Sequence, residues 1–119
     1  MAQKEEKVAL LRKVDIFSQL LEYELDVIAK YSEFIKFKKG QPIFSQGAAA
    51  NELYVVESGR VGIISFENDD ARIAQIAANE SFGEFDFLGK TPRSALAMTE
   101  ENALVLRFPA GKYRSEDIF

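Results

Sequence analysis

The sequence contains no histidine and no cysteine. Without them, a Ser-His-Asp or Cys-His nucleophile cannot be assembled within the chain. Zinc sites and His-ligated metal-oxygenase centres are excluded as well. Any enzymatic reading has to rest on carboxylates, Lys, Tyr or Ser. Also missing is an apolar run near the ~20 residues that a membrane span needs. The opening MAQKEEKVALLRK is charged throughout and lacks the apolar stretch of a secretory signal. With no cysteine either, the expected location is the cytoplasm. Basic excess is lacking too: the net charge is −4, so nothing draws the whole chain to nucleic acid or anionic lipid. KFKKG, from Lys36 to Gly40, is the one dense basic cluster and reads as a solvated strand end.

What is present is the composition of an ordinary folded domain. The 119 residues are 47% apolar and 29% charged, enough for one core and not two. The first 30 residues have helical periodicity. Val8, Leu10 and Leu11 form an apolar side between Lys4 and Arg12. Leu21, Leu25, Ile28 and Ala29 then fall on one helix face, with Ser18 as the expected cap. VDIF, Val14 to Phe17, lies between as a short apolar hinge. After Tyr31 the pattern changes to short strands. Phe34 to Lys38, PIFSQG, LYVVES, RVGIISFE, ARIAQIA, ALAMTE and ALVLRF are separated by turns at Gly40, Gly47, Gly59, ENDD, Asn79 and Glu100-Glu101-Asn102. Glu-Ser-Gly-Arg reads as a tight hairpin. Strands at this spacing predict a β-sandwich or barrel-like roll, giving an α+β, mainly β domain. One domain, 1–119, is expected: helices over 4–31, the roll over 33–108 and the start of a further helix over 110–119, where the C-terminal helices are cut short.

The chemistry concentrates in FGEFDFLGKTPRSA, Phe82 to Ala95. A phosphate needs convergent hydrogen-bond donors and a cation. Gly83 permits close backbone approach, and Phe85 to Gly89 is long enough for a helical turn whose amide groups face an anion, with Gly89 as its stop. Arg93 offers a planar fork that matches two phosphate oxygens. Ser94 adds a hydroxyl and an N–H, and Pro92 stiffens the approach. Glu84 can only accept hydrogen bonds when ionised, which suits a ribose hydroxyl. Phosphate, ribose and an apolar wall together describe a nucleotide. Each residue also has a plainer reading: Gly83 as a turn, Glu84 and Arg93 as a structural ion pair, and Phe82, Phe85 and Phe87 as core, with Phe85 nearest the site.

This stretch resembles the phosphate-binding cassette of the cyclic nucleotide-binding domain family. KKGQPIFSQGAAANELYVVESGRVGI resembles the family's first β-roll hairpins, and VDIFSQLLEYELDVIAKY its N-terminal helices. The likeness runs from about Leu11 to Phe108. It implies a jelly-roll-like β-roll, a double-stranded β-helix, that takes cAMP or cGMP as ligand and needs no metal. Gly83 and Glu84 would meet the ribose and a nearby phosphate oxygen, and Phe85 and Asp86 are counted among the ligand-binding residues beside them. Arg93, Ser94 and Ala95 would hold the cyclic phosphate. Ile63 and Ile73 fall where the family lines its base pocket, though general core is the plainer reading of both. The implied role is a regulatory sensor without catalytic activity, cAMP favoured over cGMP. Its partners would be the nucleotide and an effector domain or protein, or a second copy of the chain, with no nucleic acid bound by this chain alone and no membrane.

Asp86 departs from the resemblance, since the family usually has a small residue there. Pointing inward at about 6 Å, and with an effective dielectric of about 20, its repulsion of a phosphate would be about 2–3 kcal/mol, of order a hundredfold in affinity. It can instead pair with Lys90 four residues on. It can also cap the short helix and bond Arg93, occupying the site as a built-in anion. Two rivals to the sensor remain. One is a member of the fold that has lost its ligand and acts as a protein-interaction module. The other is a carboxylate-pair hydrolase using Glu84 and Asp86, spaced about 7 Å apart if on a strand, with no aromatic sugar platform beside them. A DNA-binding regulator would need a longer parent chain.

Overall fold

The computed structural model describes residues 2–65 and 71–109, apart from the side chains of Ala2 and Phe85. The expected turn at ENDD and the expected C-terminal helix over 110–119 lie outside those residues.

Helix α1 (Ala2–Arg12) and helix α2 (Glu22–Tyr31) flank a 3-10 turn at Asp15–Phe17. The apolar spacing explains their packing. Val8, Leu10 and Leu11 of α1 join Val14, Phe17, Leu25, Ile28 and Ala29 in one buried cluster. Ser18 does not cap α2. Its hydroxyl donates to the Asp15 carbonyl and closes the 3-10 turn. The cap position falls to Leu21, whose N–H donates to the Glu24 carboxylate at 2.8 Å. Leu21 therefore stands outside the helix and is 60% exposed, rather than sharing the buried face.

Among the described residues eight strands follow: β1 (Glu33–Phe37), β2 (Pro42–Phe44), β3 (Leu53–Ser58), β4 (Val61–Ser65), β5 (Ala71–Ile76), β6 (Ser81–Phe82), β7 (Leu96–Thr99) and β8 (Ala103–Phe108). A short helix α3 (Glu84–Gly89) separates β6 from β7. The strands form two four-stranded sheets, ordered β1-β8-β3-β6 and β2-β7-β4-β5. Every strand pairing is antiparallel. The first sheet is buried on both faces, because strand side chains alternate with a period of two. Leu53, Val55, Leu106 and Phe108 pack into the helical cluster. Tyr54, Val56 and Val105 point the other way, against Val61 and Ala97 of the second sheet.

Glu-Ser-Gly-Arg is not a hairpin. β3 and β4 lie in different sheets, and the chain crosses between them at Gly59. Gly59 has φ +90, and a Cβ there would stand 2.4 Å from the Asn102 carbonyl oxygen and 2.7 Å from the Ala103 Cα. Asn102 ends the β7–β8 connection and Ala103 begins β8, and that connection also passes from one sheet to the other. The two crossovers are thus stacked, and only a residue without a side chain fits between them. Arg60 and Glu101 pair across the same junction. Glu100 passes over Gly62 to reach Arg72 and Gln75 on β5, and those hydrogen bonds hold its carboxyl below the usual range.

Candidate functional site

β6 is the edge strand of one sheet and β5 the edge strand of the other. Between them opens a cavity of about 260 Å3. Its apolar wall comes from Ile63 on β4, Ile73, Ala74 and Ile76 on β5, with Phe44 and Phe82 deeper in. The β4–β5 register explains how β5 contributes so much. Ile63 faces Ala74 while Ile64 faces Arg72, which leaves Ile73 as an extra residue. A bulge of this kind re-aims a side chain, and Ile73 lines the cavity while 54% exposed.

The polar wall comes from the 81–95 stretch: Ser81, Gly83, Glu84, Asp86 and Ser94, with Ala95 buried beneath. Gly83 has φ +87 and turns the chain from β6 into α3. α3 ends at Gly89, and the left-handed residue that caps it is the next one, Lys90, with φ 57. Its N–H and that of Thr91 bond back to carbonyls of α3. Phe87 is buried in the helical cluster and anchors α3 from below, while Leu88 faces outward. The Phe85 side chain, expected nearest the site, lies outside the described residues.

Arg93 is 1% exposed, the largest fully buried side chain among the described residues. It sits directly beneath Gly83, whose absent Cβ would be 2.8 Å from Nη1. Nη1 donates to the Gly83 carbonyl at 2.5 Å and Nη2 to the Glu52 carbonyl at 2.6 Å. The main chain of Arg93 is fixed as well: its N–H donates to the Ala48 carbonyl, and its carbonyl accepts from the Gly47 N–H, both at 2.8 Å. The Phe44 ring lies 4.2 Å from the guanidinium carbon and the Tyr54 ring 5.9 Å. Tyr54 stacks in turn on Phe82, at 5.0 Å between centroids and 12° between planes. An aromatic face is one of the few partners that stabilise a desolvated cation without a formal charge. Burial lowers the Arg93 pKa, and the neighbouring Tyr54, Glu52, Asp86 and Glu84 oppose that shift. Burial is also the main cause that pushes the Tyr54 hydroxyl far up, helped by Glu52, to which it donates at 3.1 Å.

Two buried polar atoms at this site have no hydrogen-bond partner among the described residues: Arg93 Nε, a donor, and Glu84 Oε2, an acceptor. Unpaired buried groups are costly and call for an explanation. Asp86 is better provided. Its Oδ2 accepts from the Ser94 N–H at 3.3 Å and the Ser94 hydroxyl at 3.4 Å, and its Oδ1 from the Thr91 hydroxyl at 3.4 Å. It forms no ion pair with Lys90 and no hydrogen bond with Arg93 among the described residues.

The structure therefore brings Gly83, Glu84, Asp86, Ser94, Ala95, Ile63 and Ile73 to one cavity, with Arg93 behind its polar wall. Phe44, Glu52 and Tyr54, which cradle the guanidinium, were not anticipated. They are about 40 to 50 positions from Arg93 in sequence, and no local pattern links them to it.

The matched region runs through both sheets and this cavity: residues 34–115 match the family described as the cyclic nucleotide-binding domain. The chain belongs to that family. It is 31% identical over 86 residues to a cAMP-dependent protein kinase regulatory subunit of Mucor circinelloides f. lusitanicus, covering 71% of this chain and 20% of the relative. It is 34% identical over 91 residues to a cGMP-dependent protein kinase of Toxoplasma gondii, covering 76% of this chain and 9% of that protein. The chain thus spans a fifth or less of these curated relatives. The co-crystal structure of the regulatory domain of Toxoplasma gondii PKA with cAMP shares its fold, with a TM-score of 0.89 at 20% identity, over 96% of this chain and 44% of that one. Among the described residues no helix is long and apolar enough to cross a membrane, and no three acidic side chains are grouped as metal ligands.

Proposed function

We propose that the chain binds a cyclic nucleotide in this cavity, cAMP in preference to cGMP, and serves as a regulatory sensor domain in the cytoplasm. The observation that carries the reading is the pair of unpartnered atoms, Arg93 Nε and Glu84 Oε2. A cyclic phosphate oxygen would accept from the first and a ribose hydroxyl would donate to the second. Gly83, with no side chain over the guanidinium, leaves room for that approach. The base would lie on Ile63, Ile73, Ala74 and Ile76. That wall supports adenine over guanine, because it offers nothing to pair with guanine's additional exocyclic group. Binding would hand a signal to an effector domain, a partner protein or a second copy of the chain. The whole chain, 1–119, is read as a single domain for this purpose.

Calorimetric titration with cAMP and cGMP tests the reading. Glu84→Ala is expected to weaken cAMP binding by about 1.5–3 kcal/mol, the range for a hydrogen bond to a charged group. Arg93→Ala is expected to weaken it by about 2–3 kcal/mol, and to destabilise the fold as well, because two carbonyls lose their donor. If Glu84→Ala binds cAMP as tightly as wild type, the assignment of the site fails.

A second reading, a protein-interaction module whose cavity takes no nucleotide, is favoured by one observation. Asp86 already holds the Ser94 donors that a phosphate would use. Absence of both heat and a melting shift at millimolar cAMP and cGMP would support it.

A further inference from the structure

The hydrogen bonds of Asp86 assign it a role that the family likeness does not. We propose that Asp86 is a specificity-determining residue: its carboxylate holds the phosphate seat, so that a phosphate must displace it while an uncharged nucleoside need not. The proposal rests on reading the cavity as a nucleotide site.

Three donors converge on this one carboxylate. The Ser94 N–H and hydroxyl reach Oδ2, and the Thr91 hydroxyl reaches Oδ1. A main-chain N–H and hydroxyls are what a phosphate oxygen would engage at this end of the cavity. Asp86 thus satisfies the two Ser94 donors at the cavity wall, which would otherwise recruit the ligand's anion, and Thr91 steadies its other oxygen. Arg93 holds no hydrogen bond to it yet lies close enough for its charge to be felt. The carboxylate is the seat's occupant without being the guanidinium's partner.

The occupancy is built to be reversible. The three distances, 3.3 to 3.4 Å, exceed the roughly 2.7–3.2 Å of well-formed bonds. Only side-chain torsions have to change for Asp86 to leave. Its carbonyl is already tied to the Lys90 and Thr91 N–H groups, so the main chain stays in place. Among the described residues Asp86 also has no competing salt bridge that would draw it away from the cavity.

The consequence is a narrowed preference. For cAMP, the wild-type chain must break three hydrogen bonds and move a charge before the phosphate is seated. For adenosine, the base wall and Glu84 are available with Asp86 undisturbed. Removing the carboxylate should therefore raise affinity for the phosphate-bearing ligand alone.

The test is a titration of the full 119-residue chain with cAMP and with adenosine, in wild type, Asp86→Ala and Asp86→Asn. Asp86→Ala is expected to bind cAMP at least tenfold more tightly, with adenosine affinity changed by less than about threefold. Asp86→Asn keeps the side chain's shape, removes its charge and is expected to move in the same direction. If both variants bind cAMP no tighter than wild type, while Glu84→Ala weakens it, the site stands and this proposal is overturned. An equal rise for cAMP and adenosine overturns it too, because that would be general loosening of the cavity. If no variant binds either ligand at millimolar concentration, this proposal falls together with the nucleotide reading.

Discussion

Arg93 carries structure and, on the function proposed above, recognition. Its two Nη atoms tie Gly83 at the start of α3 to Glu52 at the start of β3, and its Nε is left over. Gly83 is the point where both roles can be disturbed by one methyl group. A Cβ at position 83 would meet Nη1 at 2.8 Å and would sit on a backbone with φ +87. The left-handed backbone alone costs a non-glycine residue about 1–3 kcal/mol. Gly83→Ala is therefore expected to lower stability by about that amount in denaturant unfolding, and also to displace the guanidinium, so that cAMP affinity falls more than stability does. At this scale the sequence was informative where chemistry is local. Gly83, Glu84, Asp86 and Ser94 are within a dozen positions of one another and share a cavity. It was uninformative about the ring of Phe44 and the carbonyl of Glu52, because those reach Arg93 only through the tertiary path of the chain. Asp86 was open to three readings on sequence grounds. What separates them is which donors it faces, a matter of torsion angles.

Among the elements, existence was legible and partnership was not. The short apolar runs LYVVES and ALVLRF, bounded by turns, mark two strands, and their pairing in register, Val55 with Leu106 and Val56 with Val105, buries both faces. Glu-Ser-Gly-Arg marks a turn, and Gly59 does take φ +90 there. A turn signal fixes the local bend, however, and leaves the destination of the next strand to the packing around it. The expected hairpin is in fact a passage between sheets, braced by the second passage at Asn102 and Ala103. Gly59→Ala should for that reason be among the most damaging small substitutions in the chain. Its methyl group would press on main-chain atoms that cannot step aside, and we expect a loss of about 3 kcal/mol or more from strain and overpacking together. The drop would be read as a lower unfolding midpoint in urea, with cAMP affinity per folded molecule preserved, because Gly59 does not line the cavity.

For the whole molecule, charge and burial act against each other. The net charge is −4. Among the described residues the cavity is lined by two carboxylates, Glu84 and Asp86, and by no cation. Arg93, behind it, is 1% exposed. An anionic ligand in bulk water therefore meets a repulsive field before it meets Arg93. Salt screens such a field over a Debye length of about 8 Å at physiological ionic strength. Stopped-flow association of a fluorescent cAMP analogue is expected to speed up as salt is raised, opposite to the slowing seen when attraction steers a ligand in. A rate that falls with salt would mean that basic groups elsewhere dominate the approach.

A guanidinium walled off from solvent has a short reach. It acts over the last few ångströms, once water has been squeezed out between it and its guest. Among guests of equal charge, discrimination in such a pocket belongs to departure, not arrival: they enter at similar frequency, and only the right one is slow to leave.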